Sequence, residues 1–262
     1  MKRRSVLTAF VFATTALVSG FSHADTLDDI LKSKTLKVAV PQDFPPFGSV
    51  GADLKPVGYD IDMAQLIAQE LGVKVELVPV TSANRIPYLT TKKVDLVISS
   101  LGKNPEREKV IDFSEAYAPF FNGVFGLDGV AVAKAEDLAG KTVGVTRGSV
   151  EDLELTKLAP STAVIKRFED NNTTISAYLS GQVTMIATGN VVAGSISEKQ
   201  PNKKLELKFF IKNSPCHIGV NKNEAKLLER VNAIIAKSKT DGSLNRIAEK
   251  WMHIKRPVAS LL

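Results

Sequence analysis

Ser99-Ser100-Leu101-Gly102-Lys103-Asn104-Pro105-Glu106-Arg107 follows an apolar run, Val94-Asp95-Leu96-Val97-Ile98, that reads as a strand. Two hydroxyls and a glycine come next. Asn104 is a candidate helix cap, Pro105 fits the first helical position, where its missing N–H costs nothing, and Arg107 falls in the first turn. Hydroxyls, unpaired backbone N–H groups and a guanidinium then converge at the carboxyl end of a strand, which suits a small carboxylate. Taken alone, the stretch fits equally well an ordinary strand-to-helix turn whose Arg107 pairs with a surface acid.

Upstream of this stretch, strands alternate with helices. Residues 36–40 form a strand that ends in Pro41-Gln42-Asp43-Phe44-Pro45-Pro46-Phe47, a stiff turn expected to present aromatic surface. Gly58-Tyr59-Asp60 opens a helix with Met63, Leu66, Ile67 and Leu71 on one face, followed by a strand over 73–80 and a short helix over 86–91. Downstream, residues 120–127 lack a helical period, and a second series begins at Ala135. Its strand over 142–146 runs into Arg147-Gly148-Ser149-Val150-Glu151, a second strand-glycine-helix junction in which Ser149 is a plausible N-cap and the backbone offers further N–H groups. Residues 184–187, 205–211 and 217–220 are further strands, and two helices close the chain, one carrying Leu227, Val231, Ile234 and Ile235, the other starting at Ser243. This alternation predicts an α/β protein with mostly parallel sheets covered by helices on both faces.

The N-terminus has the three parts of a secretory signal: Lys2-Arg3-Arg4, an apolar core over 6–18 and a small-x-small site at Ser22-His23-Ala24. Cleavage after residue 24 predicts an exported, soluble protein and lowers the formal charge from +6 to +3, because the leader holds three basic residues and no acidic one. So small a surplus, with no Lys/Arg run interleaved with aromatics, argues against nucleic acid as a partner. A single cysteine, Cys216, excludes an internal disulfide and a zinc site of the Cys₂His₂ type. After the leader only His217 and His253 remain, and neither has the spacing of a catalytic triad or a metal motif, so no metal, cofactor or catalytic residue is expected.

Phe44-Pro45-Pro46-Phe47, Gly58-Tyr59-Asp60-Ile61-Asp62, Ile86-Pro87, Lys93-Val94-Asp95-Leu96, Pro105-Glu106-Arg107, Asp112-Phe113-Ser114, the run from Asp137 to Val145 and Asp241-Gly242-Ser243 occur in the order found in periplasmic polar-amino-acid-binding proteins of ABC transporters. The sequence resembles that family over essentially all of the mature chain. The resemblance implies the two-lobed periplasmic binding protein fold, α/β, with two crossing segments as a hinge. Lobe 1 would combine 25–119 with 216–262, and lobe 2 would hold 120–215. It further implies a monomer that closes on its ligand and then engages a membrane permease.

The family pattern places the ligand carboxylate on Arg107, with Ser100, Gly102, Gly148 and Ser149 assisting and Phe44 as an aromatic wall. Ser82-Ala83-Asn84-Arg85-Ile86-Pro87 is similar to the glutamate/aspartate-binding branch, in which Ser82, Arg85 and Asn171 would approach an acidic ligand side chain and Arg147 would add positive potential. A solvated arginine on a helix face is the competing reading of Arg85. Two departures stand out: family members usually hold the α-ammonium with an aspartate where this chain has Gly189, and a first-strand acid used by some members is Pro41 here. Either another acid substitutes, with Glu151 and Asp170 as candidates, or the ligand lacks an ordinary α-amino group. The leading expectation is a periplasmic receptor for an acidic or polar amino acid or a related carboxylate. The alternative is a cleft enzyme of the same fold, a dehydratase acting on a cyclic carboxylate.

Overall fold

The computed structural model describes residues 26–262, so the leader read at 1–24 lies outside the described residues. Helix α1 (Thr26–Ser33) precedes strand β1 (Thr35–Pro41), a short ribbon of β2 (Ser49–Val50) and β3 (Pro56–Val57), then α2 (Tyr59–Leu71), β4 (Lys74–Val80), α3 (Arg85–Thr90), β5 (Leu96–Leu101), α4 (Pro105–Glu108) and β6 (Ile111–Ala118). The chain then changes sheets through β7 (Phe121–Gly126), β8 (Thr142–Thr146), α5 (Val150–Leu158), β9 (Val164–Phe168), α6 (Asn171–Leu179), β10 (Met185–Gly189), α7 (Asn190–Lys199) and β11 (Glu206–Asn213). It returns with β12 (Cys216–Asn221), α8 (Ala225–Thr240) and α9 (Ser243–Met252).

Two five-stranded sheets result, ordered β4-β1-β5-β12-β6 and β11-β7-β10-β8-β9, and each forms one lobe with its helices. They are mixed rather than mostly parallel. In the first, β1 pairs parallel with β4 and β5, while β12 pairs antiparallel with β5 and β6. In the second, β8 pairs parallel with β9 and β10, while β7 pairs antiparallel with β10 and β11. The crossings explain the difference. The chain leaves through β6 and β7 and comes back through β11 and β12 without an intervening helix, so outgoing and returning strands oppose each other. At the crossing the Ser214 N–H donates to the Phe120 carbonyl at 2.9 Å.

Apolar spacing sets which helix faces are covered. In α8, Leu227, Val231, Ile234 and Ile235 recur at three- and four-residue intervals and are buried. They share a core with Leu36, Val38, Leu96, Ile98 and Ile218 from the first sheet. The turn at 44–47 presents one of its two aromatics as expected, Phe44 bordering the space between the lobes, while the other turns inward. Phe47 is wholly buried and packs on Tyr59 and Phe120, with centroid separations of 5.9 and 5.4 Å.

Candidate functional site

The carboxyl ends of β5 and β8 and the starts of α5 and α6 border one cavity, part of it open to solvent. Phe44, Ser82, Arg85, Ser99 and Ser100 line it from the first lobe. Asn122, Thr146, Ser149, Glu151, Asn171 and Thr188 line it from the second, and Phe120 and Ser214 come from the crossing segments.

Two buried charges of opposite sign face this space. Arg85, 5% exposed, donates through Nε to the Ser82 carbonyl at 3.1 Å and through Nη1 to the Ser99 carbonyl at 2.8 Å. Burial lowers its pKa, and the charges of Glu151 and Asp60 oppose that shift. It is therefore a buried cleft cation and not a solvated helix-face residue, with guanidinium N–H groups left over for an anion. Glu151, in the first turn of α5 and also 5% exposed, accepts from Asn122 Nδ2 at 2.6 Å. The other amide atom, Asn122 Oδ1, is buried without a partner among the described residues. A carboxylate and an unused carbonyl oxygen side by side are acceptors in search of donors, which is the requirement of an ammonium group.

Behind the cleft, Ser100 adopts a φ of +42°, a backbone conformation rarely taken by a residue with a side chain. Its N–H donates to Asp60 Oδ2 at 2.7 Å, and Asp60 Oδ1 accepts from the Tyr117 hydroxyl at 2.6 Å. Complete burial pushes the Asp60 carboxyl up to about 7, against the lowering effect of these two bonds and of Arg85. Asp60 is thus a positioning group, fixing the strained residue that brings a hydroxyl to the cleft.

Of the residues singled out in the sequence, Phe44, Ser82, Arg85, Ser100, Ser149 and Asn171 line the cavity, whereas Arg107, Gly102, Gly148, Arg147 and Gly189 do not. Asn104 caps α4 as expected, its Oδ1 accepting the Arg107 N–H at 2.8 Å. The Arg107 guanidinium, however, does not line the cavity and ties backbone of the two lobes together: Nη1 donates to the Gly102 carbonyl at 2.8 Å and Nη2 to the Gly148 carbonyl of the other lobe at 2.9 Å. Burial and the neighbouring Arg85 bring its pKa down to about 9, so it remains a cation at neutral pH. Arg147 points away and pairs with exposed Glu169 at 3.0 Å. Gly102 and Gly189 are glycines because other groups fill their side-chain space: a Cβ on Gly102 would overlap the Ser214 hydroxyl, and one on Gly189 would fall on the Phe120 ring. Of the two substitute acids, Glu151 borders the cleft, while Asp170 caps α6, accepting the Thr173 N–H at 2.7 Å. Asn122 escaped the sequence reading although an amide inside the apolar strand 121–126 was a usable signal. Ser214 and Phe120 carried no such signal.

A two-lobed α/β protein whose deepest charged surface is an interlobe cleft has the build of a solute receptor. The family described as bacterial extracellular solute-binding proteins, family 3, matches residues 36–254, and the chain belongs to it. The ABC transporter glutamine-binding protein GlnH of Bacillus subtilis is 29% identical over 236 residues, covering 88% of this chain and 86% of its own. The L-cystine-binding protein TcyJ of Escherichia coli is 29% identical over 245 residues, with coverages of 90% and 91%. Among solved structures, an ancestral arginine-binding protein bound to arginine superposes with a TM-score of 0.79 at 35% identity, covering 83% of this chain and 98% of its own. The chain is thus a solute-binding protein of the kind that serves ABC importers, which deliver solute through a membrane permease. Among the described residues no helix is long and apolar enough to cross a membrane, and no cluster of His, Cys, Asp and Glu could hold a metal ion.

Proposed function

We propose that the cleft captures a small polar α-amino acid as its zwitterion in the periplasm, after removal of the leader at 1–24, and that the protein works as a monomer with lobes at 25–119 plus 216–262 and at 120–215. Arg85, with the hydroxyls of Ser82 and Ser100, holds the carboxylate. Glu151 and the Asn122 carbonyl oxygen take the ammonium in place of the aspartate missing at Gly189. The observation that carries this reading is the pairing of two charges, each 5% exposed, that approach one cavity from opposite lobes. A zwitterion bridging them neutralises both and draws the lobes together, so that ligand and closure are coupled. The names of the relatives support an amino acid, and the resemblance of Ser82 to Pro87 to the glutamate/aspartate branch supports a second polar end on it.

Calorimetry on ligand-stripped protein, with amino acids and their deaminated analogues, tests the assignment. Glu151→Gln is expected to weaken α-amino acids by about ten- to a hundredfold, the equivalent of one charge-assisted hydrogen bond, and to leave the deaminated acids unchanged. Equal affinity of the wild type for both ligand types would overturn the ammonium site.

A further inference from the structure

Asp43 lies beyond the end of β1, in the first lobe, and is 4% exposed. Its carboxylate is satisfied by the other lobe. Oδ2 accepts the N–H of Asn171 at 2.7 Å and that of Asn172 at 3.3 Å, and Oδ1 accepts from Asn171 Nδ2 at 3.1 Å. Asn171 and Asn172 are the first residues of α6, and the next N–H, that of Thr173, is taken by Asp170. The leading N–H groups of a helix have no partners within it and carry the positive end of its dipole. Here that end already holds two carboxylates, one local and one delivered across the cleft.

Asn171 also borders the cavity, where the resemblance to the glutamate/aspartate branch would have it meet an acidic ligand side chain. Here its backbone N–H and one of its two side-chain N–H groups are given to Asp43 instead. A ligand carboxylate reaching this wall finds the leading backbone N–H groups of α6 occupied and a buried like charge beside it, which repels it. A ligand amide, hydroxyl or cation can approach without that penalty.

We propose that Asp43 is a specificity-determining residue: by filling the anion site at the start of α6 from the opposite lobe, it makes the closed cleft select amino acids with an uncharged or cationic distal group over acidic ones. This rests on the amino-acid reading given above. It narrows that reading from a polar amino acid to a polar and non-acidic one.

The test is calorimetry of ligand-stripped wild type, Asp43→Asn and Asp43→Ser with the twenty amino acids, after circular dichroism melts have shown that each variant folds. Removing the charge is expected to raise the affinity of glutamate and aspartate at least tenfold relative to the best uncharged or cationic amino acid. A wild type that prefers glutamate or aspartate overturns the proposal, as do variants whose relative preference is unchanged. Folded variants that bind nothing also overturn it and leave Asp43 as a closure contact alone. A wild type that binds no α-amino acid is a separate result, which removes the assignment of Arg85 and Glu151.

Discussion

The junction between β5 and α4 carries Arg107 and the junction between β8 and α5 carries Glu151, and the two meet across the cleft. In sequence both are strand, glycine and polar residues, then a helix. In the structure the first turns its charge inward onto backbone carbonyls of both lobes, whereas the second turns its charge toward the ligand space. The cation that lines the cavity is Arg85, from a helix that lacks this junction pattern, and it is the one proposed above to hold the carboxylate. A motif therefore fixes where a junction sits, and its neighbours decide whether its charge meets solute or scaffold.

The sharpest way to break this contrast is to remove Arg107. Arg107→Ala is expected to lower ligand-free stability by about 3 kcal/mol, the order of two charge-assisted hydrogen bonds, and to show as an earlier urea midpoint. An unchanged midpoint together with lost binding would return Arg107 to the ligand. A second effect concerns Asp60, which anchors Ser100 at the first junction. Its carboxyl sits at about 7 in the folded protein against an ordinary value of 3.8, so between these values the native state keeps a proton that the unfolded chain releases. The stability it contributes is complete below about 4 and is lost as pH rises through 7. His217 acts in the opposite sense: burial depresses it to about 4, so its contribution is present above 6.5 and is lost as pH falls through 4. Asp60→Asn is expected to remove the first slope and keep the second in urea midpoints measured from pH 4 to 8. Parallel curves for variant and wild type would show that Asp60 stays ionised. The smallest effect belongs to the second junction, where Ser149 Oγ accepts the Asp152 N–H at 3.1 Å. Ser149→Ala is expected to cost about 1 kcal/mol of stability and to shift affinity by less than about threefold. A larger fall in affinity would show that the hydroxyl also meets the ligand.

Element positions were legible in the sequence wherever local chemistry sets them: Asn104-Pro105 starts α4, Ser149 caps α5, and the apolar spacing of α8 faces its core. Strand direction was less so, because the antiparallel pairs arise from the crossings, and pairing between β7 and β11 joins segments some 80 residues apart in the chain. In the site, Arg85 and Glu151 were both visible as candidates. What could not be read was which of two arginines would line the cavity, since both donate to backbone carbonyls and Gly148 reaches Arg107 only through the approach of the lobes. The same holds for Asp43, whose partners all lie about 128 residues away.

Ser214 and Phe120 occupy the space that side chains at 102 and 189 would need, and both belong to the segments linking the lobes. This constrains inheritance. At 102 the Ser214 hydroxyl can rotate away from a new side chain, whereas an aspartate at 189 meets the Phe120 ring and requires that ring to move. Because Phe120 lies where the chain passes between the lobes, a gain of charge at 189 is also a disturbance of the join on which the two lobes turn.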